Sequence, residues 1–356
     1  MASSLRGLPR GARTILRPPA FRATLPLLLG SHSTRAFSAG PTTHNNDNDK
    51  TSQYRSPPLG NEPQKPSRSA PSPPSDENST LQITASAATN LGTTKRLPEF
   101  DLTDHVVLVS GAARGLGLTQ AEALLEAGAT VYALDRLPTP SDAFYRIQER
   151  TASELGTTLH YRQIDVRDVE ALSATVSKIG DEERRMDGLI AAAGIQQETS
   201  ALEYTATDAD RMFATNITGV FMTAQAVAKQ MLRFKTQGSI VLIASMSGSV
   251  ANRGLICPAY NASKAGVMQL ARNLASEWGE HGIRVNTISP GYIVTAMVEE
   301  LFKQFPERRE EWPRQNMLGR LSAPEEYRGA AVFLISRASS FMTGADLRMD
   351  GGHSAW

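Results

Sequence analysis

The chain has 356 residues, room for one large domain or two modest ones. A formal charge of +1 with 21% charged residues gives no reason to expect a nucleic-acid partner or an acidic substrate surface. A single cysteine, Cys257, excludes a disulfide framework and a thiolate metal site within one chain; the six histidines lack ligand spacing, so no metal is expected.

Residues 1–40 are basic and acid-poor. Arg6, Arg10, Arg13, Arg17, Arg22 and Arg35 stand among Ser, Ala and Leu, and no acidic residue precedes Asp47. That composition predicts a mitochondrial transit peptide and a matrix location; a plain basic tail would leave the protein cytoplasmic. The patch Leu25–Leu29 is too short for a secretory core, and Arg35-Ala36-Phe37-Ser38 resembles a processing site cut after Phe37. Residues 41–95 are Pro, Ser, Thr, Asn and Gly with few large apolar groups, so they are expected to form a disordered linker. No apolar run reaches the ~20 residues of a membrane span.

From Arg96 onward, apolar runs alternate with helical stretches. His105–Ser110 reads as a strand, and a helical pattern runs through Glu126 until Gly128 closes it. Between them lies Ser110-Gly-Ala-Ala-Arg-Gly-Leu-Gly117. Gly111, Gly115 and Gly117 let the backbone turn tightly and approach a pyrophosphate, with Arg114 and Leu116 between them. The N–H groups that open the helix then face the phosphates. Ala129–Asp135 is the next strand, and Asp135 at its end suits the adenosine ribose hydroxyls while repelling the extra phosphate of NADP. Arg114 and Arg136 partly offset that repulsion, so NAD is expected, with NADP as the alternative.

The alternation continues with Thr158–Ile164 as strand, Val169–Ile179 as helix and Gly188–Ala192 as strand. Then come a long helix over Asp208–Phe234, a strand over Ser239–Ser245 and a helix over Ala259–Trp278. Ile283–Ser289 strand, Pro324–Ile335 helix and Asp346–Met349 strand complete the series. Continuous apolar strands separated by helices predict an α/β fold: a single doubly wound Rossmann-type domain with a parallel sheet over 96–356, preceded by a disordered N-terminal extension.

Tyr260 and Lys264 lie four apart on the predicted helix Ala259–Trp278, so both project from one face. A phenol titrates near pH ~10, and an ammonium beside it favours the phenolate. The pair reads as a proton donor and acceptor tuned towards working pH.

These parts, in this order, resemble the short-chain dehydrogenase/reductase family. The glycine turn follows its Gly-x-x-x-Gly-x-Gly pattern, and Asp165-Val166 looks like the pair that holds the adenine. Asn216 matches the family's helix asparagine; Ala193-Gly194 stands in the motif after the fourth strand. Pro290-Gly291-Tyr-Ile293-Val-Thr295 resembles the stretch that seats the nicotinamide carboxamide, and Asp350-Gly351-Gly352 the end of the last strand. The resemblance implies Tyr260 as general acid/base, Lys264 lowering its pKa and holding ribose hydroxyls, Ser245 polarising the substrate oxygen, and Asn216 seating a relay water. Two departures stand out. Ala191-Ala192-Ala193-Gly194 replaces the usual Asn-Asn-Ala-Gly, removing amides that brace the backbone. The usual spacing to the tyrosine lands on Ser247, yet Ser245 keeps the family's glycine three residues on, at Gly248.

The same resemblance implies a small-molecule alcohol/ketone substrate and a homotetramer or homodimer built on Asp208–Phe234 and Ala259–Trp278. Met297, Phe302, Phe305, Trp312, Met317 and Leu318 lie where the family carries a lid over the substrate, and they read equally as pocket lining or as packing residues. Glu299, Glu300, Glu307, Glu310 and Glu311 with Arg308, Arg309 and Arg314 read as a solvated helix face. Ser-Met-Ser-Gly, Ala-Tyr-Asn-Ala-Ser-Lys-Ala-Gly and Ser-Pro-Gly-Tyr-Ile-Val-Thr resemble the fungal polyol and ketose reductases of this family. A 3-oxoacyl thioester reductase is the second reading, and a non-catalytic nucleotide-sensing or structural subunit the third.

Overall fold

Seven strands pair side by side, all parallel, in the order β3-β2-β1-β4-β5-β6-β7. They are β1 (Val106–Ser110), β2 (Thr130–Asp135), β3 (Leu159–Gln163), β4 (Gly188–Ala191), β5 (Gly238–Ile243), β6 (Ile283–Pro290) and β7 (Asp346–Met349). The structure is a computed structural model that describes residues 97–356. The transit-peptide and linker readings of 1–40 and 41–95 lie outside the described residues, as does the side chain of Met297.

The helices cover both faces. α1 (Gly115–Glu126), α2 (Asp142–Arg150) and α9 (Arg328–Ile335) pack on one; α3 (Val169–Glu183), α5 (Val220–Phe234) and α6 (Pro258–Trp278) pack on the other. Side chains alternate along each strand. Thus Val107 and Val109 join Leu124, Val131, Ile190, Val241 and Leu334 in one core, while Leu108 joins Leu134, Leu189, Val227, Leu242 and Val267 in the other. Burial on both faces is why the strands are apolar throughout. Strand order reverses between β1 and β4, whose Ser110 and Ala191 stand opposite each other at the switch point.

The predicted helix Asp208–Phe234 is not one regular helix. α4 (Ala206–Phe213) starts after Thr205, whose Oγ1 accepts the Asp208 N–H at 3.1 Å. A wide π turn at Ala214–Gly219 then separates it from α5. The Asn216 amide explains the widening: it is drawn to both backbone groups of Ile195 at 2.9 Å. Over Pro324–Ile335 only α9 is α-helical, after a tighter turn at Pro324–Tyr327. Apolar periodicity gives no forecast of α2, while α7 (Ala296–Gln304) and α8 (Arg308–Glu311) fall where only the charge pattern reads as a helix face. In α2 only Phe144 is buried, so its apolar signal is faint. No described helix is long and apolar enough to cross a membrane, and no described cluster of His, Cys, Asp or Glu fits a metal ion.

Candidate active site

The site begins at the turn between β1 and α1. Gly111 has φ +70°, and a Cβ there would lie 2.8 Å from the backbone of Ala193. Gly115 has φ +61° with open space around its missing Cβ. The turn therefore requires glycine at 111 for close approach, and at 115 leaves a cradle beside the free N–H groups that open α1. A dinucleotide pyrophosphate fits that donor set. Arg114 is exposed, and Leu116 packs against the core under α1.

Asp135 braces the turn: its carboxylate accepts the N–H of Ala113 and of Leu137, each at 3.1 Å. Asp165 is clasped by the Arg167 guanidinium, with Nη2 2.6 Å from Oδ2. That hydrogen bond leads the influences holding its carboxyl below the ordinary range, and Arg136 adds to it. Val166 is buried beside Gly219. Where the family's amides are missing, Ser110 supplies the brace: its Oγ accepts the Ala193 N–H at 3.3 Å and its carbonyl the Ala192 N–H at 3.2 Å.

Four predicted side chains converge past the ends of β4 and β5. A Cβ on Gly194 would stand 3.4 Å from Asn216 Oδ1 and 3.7 Å from Lys264 Nζ, so both groups border one small space. Lys264 is buried and donates to the Ile243 carbonyl at 2.7 Å, with Nζ 5.6 Å from the Tyr260 ring centre. Desolvation lowers its pKa to about 8. Tyr260 is half-buried; desolvation pushes its phenol up to about 12, and a hydrogen bond from Ser245 pulls it down. The lowering expected from Lys264 is therefore not found: the ammonium is turned onto the Ile243 carbonyl, and the pull of Ser245 is smaller than the rise that burial imposes. Ser247 faces elsewhere, its Oγ accepting from Asn252 Nδ2 at 2.6 Å. Asn216 is fully buried; besides Ile195, its Nδ2 reaches Ser263 Oγ at 3.0 Å.

β6 ends at Pro290, and the Gly291 N–H donates to the Met349 carbonyl at 3.0 Å. Ile293 bridges to Ser322, and Thr295 caps α7 through its Oγ1. Beyond it, the predicted lid residues divide. Phe302 and Trp312 are buried; Phe305, Met317 and Leu318 are exposed. Trp312 stacks on Tyr292 with ring centres 4.3 Å apart.

Arg308 corrects the solvated-face reading. Its side chain is only 14% exposed, and its two terminal nitrogens grip Glu198 at 2.9 and 2.8 Å. Sequence reasoning missed Glu198 altogether. It lies 110 residues from its partner, a separation at which no periodicity or spacing carries a signal.

The fold, the glycine turn and these converging side chains define a class: a Rossmann-type oxidoreductase. A family profile described as enoyl-(acyl carrier protein) reductase matches residues 111–354. The short-chain dehydrogenase/reductase notP' of Aspergillus versicolor is 42% identical over 262 residues, spanning 72% of this chain and 89% of that protein. The ribulose-forming D-arabinitol 2-dehydrogenase of Scheffersomyces stipitis is 35% identical, spanning 73% and 97%. The gluconate 5-dehydrogenase of Gluconobacter oxydans is 37% identical, spanning 71% and 96%. Among solved structures, a short-chain dehydrogenase/reductase from Mycobacterium marinum aligns with a TM-score of 0.68 at 35% identity, covering 73% of this chain and 99% of that one. A Burkholderia cenocepacia gluconate 5-dehydrogenase in complex with NADP and tartrate aligns at 0.67 with 29% identity, covering 74% and 100%. A Mycobacterium avium carveol dehydrogenase in complex with NAD aligns at 0.67 with 28% identity, covering 72% and 99%. The chain belongs to the short-chain dehydrogenase/reductase family.

Proposed function

We propose that the protein is an NAD-dependent alcohol dehydrogenase and ketoreductase that interconverts a polyol and a ketose. The observation that carries this is the convergence of Ser245, Tyr260, Lys264 and Asn216 past the ends of β4 and β5. The polyol relatives support the substrate class.

Gly111, Gly115 and Gly117 would hold the pyrophosphate, Asp135 the adenosine ribose, Asp165 and Val166 the adenine, and Lys264 the nicotinamide ribose. Ala193 and Gly194 would floor the crevice, and Pro290, Gly291, Ile293 and Thr295 would seat the carboxamide. The nicotinamide supplies the hydride acceptor for oxidation and the donor for reduction. In oxidation, Tyr260 Oη takes the proton of the substrate hydroxyl as the hydride leaves carbon; in reduction it returns that proton to the carbonyl oxygen. Ser245 Oγ donates to the substrate oxygen and stabilises the charge that develops there. Lys264, cationic below its lowered pKa of about 8, would stabilise the Tyr260 phenolate once its Nζ turns from the Ile243 carbonyl. Asn216 seats a water through which Lys264 exchanges protons with solvent. A carboxylate at the end of β2 disfavours a 2′-phosphate, which supports NAD over NADP. Two or four copies would assemble through α5 and α6.

Initial rates of the purified protein with both cofactors, against polyols, ketoses and a 3-oxoacyl thioester, test the reading. Turnover of a polyol with NAD is expected. A strong NADP preference would overturn the cofactor assignment, and activity confined to the thioester the substrate class. NADH binding without turnover of any compound would mark a sensing or structural subunit.

A further inference from the structure

Two arms leave the sheet near the site: the stretch after β4 from Gly194, and the segment 296–318 that follows β6. Glu198 and Arg308 join them. The Arg308 guanidinium lies 4.3 Å from the Phe305 ring centre and 5.6 Å from that of Trp312, which itself stacks on Tyr292. The opposite arm is held by the Thr199 N–H on the Ile256 carbonyl at 3.0 Å, next to Cys257 and the start of α6. The pair therefore joins the two arms next to the layer that holds Cys257 and Tyr292. Its charges reach that layer: Glu198 raises the Cys257 thiol after the larger effect of burial, and both members act on the Tyr292 phenol.

Every cation on segment 296–318 is already matched. Lys303 pairs with Glu300 at 2.6 Å, Arg309 with Glu299, Arg314 with Glu310 at 3.8 Å, and Arg308 with Glu198. On the facing arm, Arg211 is held by Asp208 at 3.0 Å and by Gln197 at 2.5 Å. A guanidinium recognises a carboxylate through its two-pronged fork, and Glu198 occupies the fork of the one arginine of this segment that is deeply seated.

We propose that Glu198 is the specificity residue that makes this cleft accept uncharged polyhydroxy alcohols and reject sugar acids, by keeping Arg308 neutralised and immobile between Phe305 and Trp312. This rests on the polyol reading above. A substrate carboxylate would find no free fork and would meet Glu198 as a like charge. A neutral polyol meets neither obstacle and can share hydrogen bonds with the rims of both groups.

The test measures kcat/KM for a pentitol and for an aldonate of similar length, in wild type, Glu198→Gln and the double variant Glu198→Gln/Arg308→Gln. Wild type should favour the pentitol, and the aldonate should inhibit it only at concentrations well above the pentitol KM. Glu198→Gln frees a half-buried guanidinium, so the aldonate-to-pentitol ratio should rise roughly tenfold or more, a gain that structural damage does not produce. Removing both charges should return the ratio to the wild-type value. An unchanged ratio in Glu198→Gln overturns the proposal. So does tight aldonate inhibition of wild type, a result that needs no variant to fold. Efficient wild-type turnover of aldonates would sink this inference while leaving a sugar dehydrogenase; inertness towards both classes would remove the polyol reading and this inference together.

Discussion

Burial sends Tyr260 and Lys264 in opposite directions, the phenol up to about 12 and the ammonium down to about 8. On the proposed mechanism, alcohol oxidation would need Tyr260 ready to take a proton, so its rate should climb with pH until Lys264 loses its charge above about 8; ketone reduction would need the protonated phenol and should not climb. Without substrate, Ser245 donates to the phenol and favours its ionised form; its one hydroxyl hydrogen would turn to the substrate oxygen on binding. Ser245→Ala should therefore move the alkaline limb of oxidation to higher pH and cost roughly 100-fold in kcat. Ser247→Ala should leave the limb in place, because that hydroxyl serves Asn252. A larger loss from Ser247→Ala in the pH–rate profile would reverse the two assignments. The glycine spacing after Ser245 is a reason in the chain to choose it over Ser247, whereas the grip of Lys264 on Ile243 leaves no such sign. A carbonyl acceptor depends on how β5 ends against α6, and no side-chain pattern encodes it.

Among elements, three helices meet at a knot of four charges. Glu122 and Glu126 lie one turn apart on α1, a spacing at which like charges repel. Arg150 at the end of α2 and Arg328 at the start of α9 each reach both carboxylates, with Glu122 at 2.8 and 2.6 Å respectively. The knot ties α2 and α9 to the helix that opens at the phosphate turn. Glu122→Gln should lower stability by about 1 kcal/mol, as expected for one member of a partly exposed network. Urea unfolding midpoints measure it, and an unchanged midpoint would show the network to be idle. Strong apolar periodicity revealed α1, α3, α5 and α6 beforehand. It failed for α2, α7 and α8, which are held by a few contacts and many charges. It also ran through residues 214–219 without a break, since a widened turn leaves the composition unchanged.

At the scale of the molecule, strand-helix alternation was enough to infer a parallel sheet with both faces covered. The order β3-β2-β1-β4-β5-β6-β7 places the glycine turn and Ala193 side by side at the switch point. The basic segment before the domain is a proposal of a different kind, since it concerns an address rather than a fold. Residues 1–45 fused to a fluorescent protein should deliver it to mitochondria, and diffuse cytosolic signal would reject the matrix location.

The widened turn at Ala214–Gly219 has a further consequence, one of phase. Met212 and Ala224 are both fully buried and twelve residues apart. At about 100° per residue, a straight helix would set them about 120° apart around its axis. One residue of delay in the hydrogen-bond ladder takes back about 100° of that. Asn216, Val220, Ala224 and Val227 can then share one inward line with Met212. The extra residue is thus a timing correction. Deleting one residue there would rotate the buried stripe of α5 out of step with Met212 and the inward face of α4.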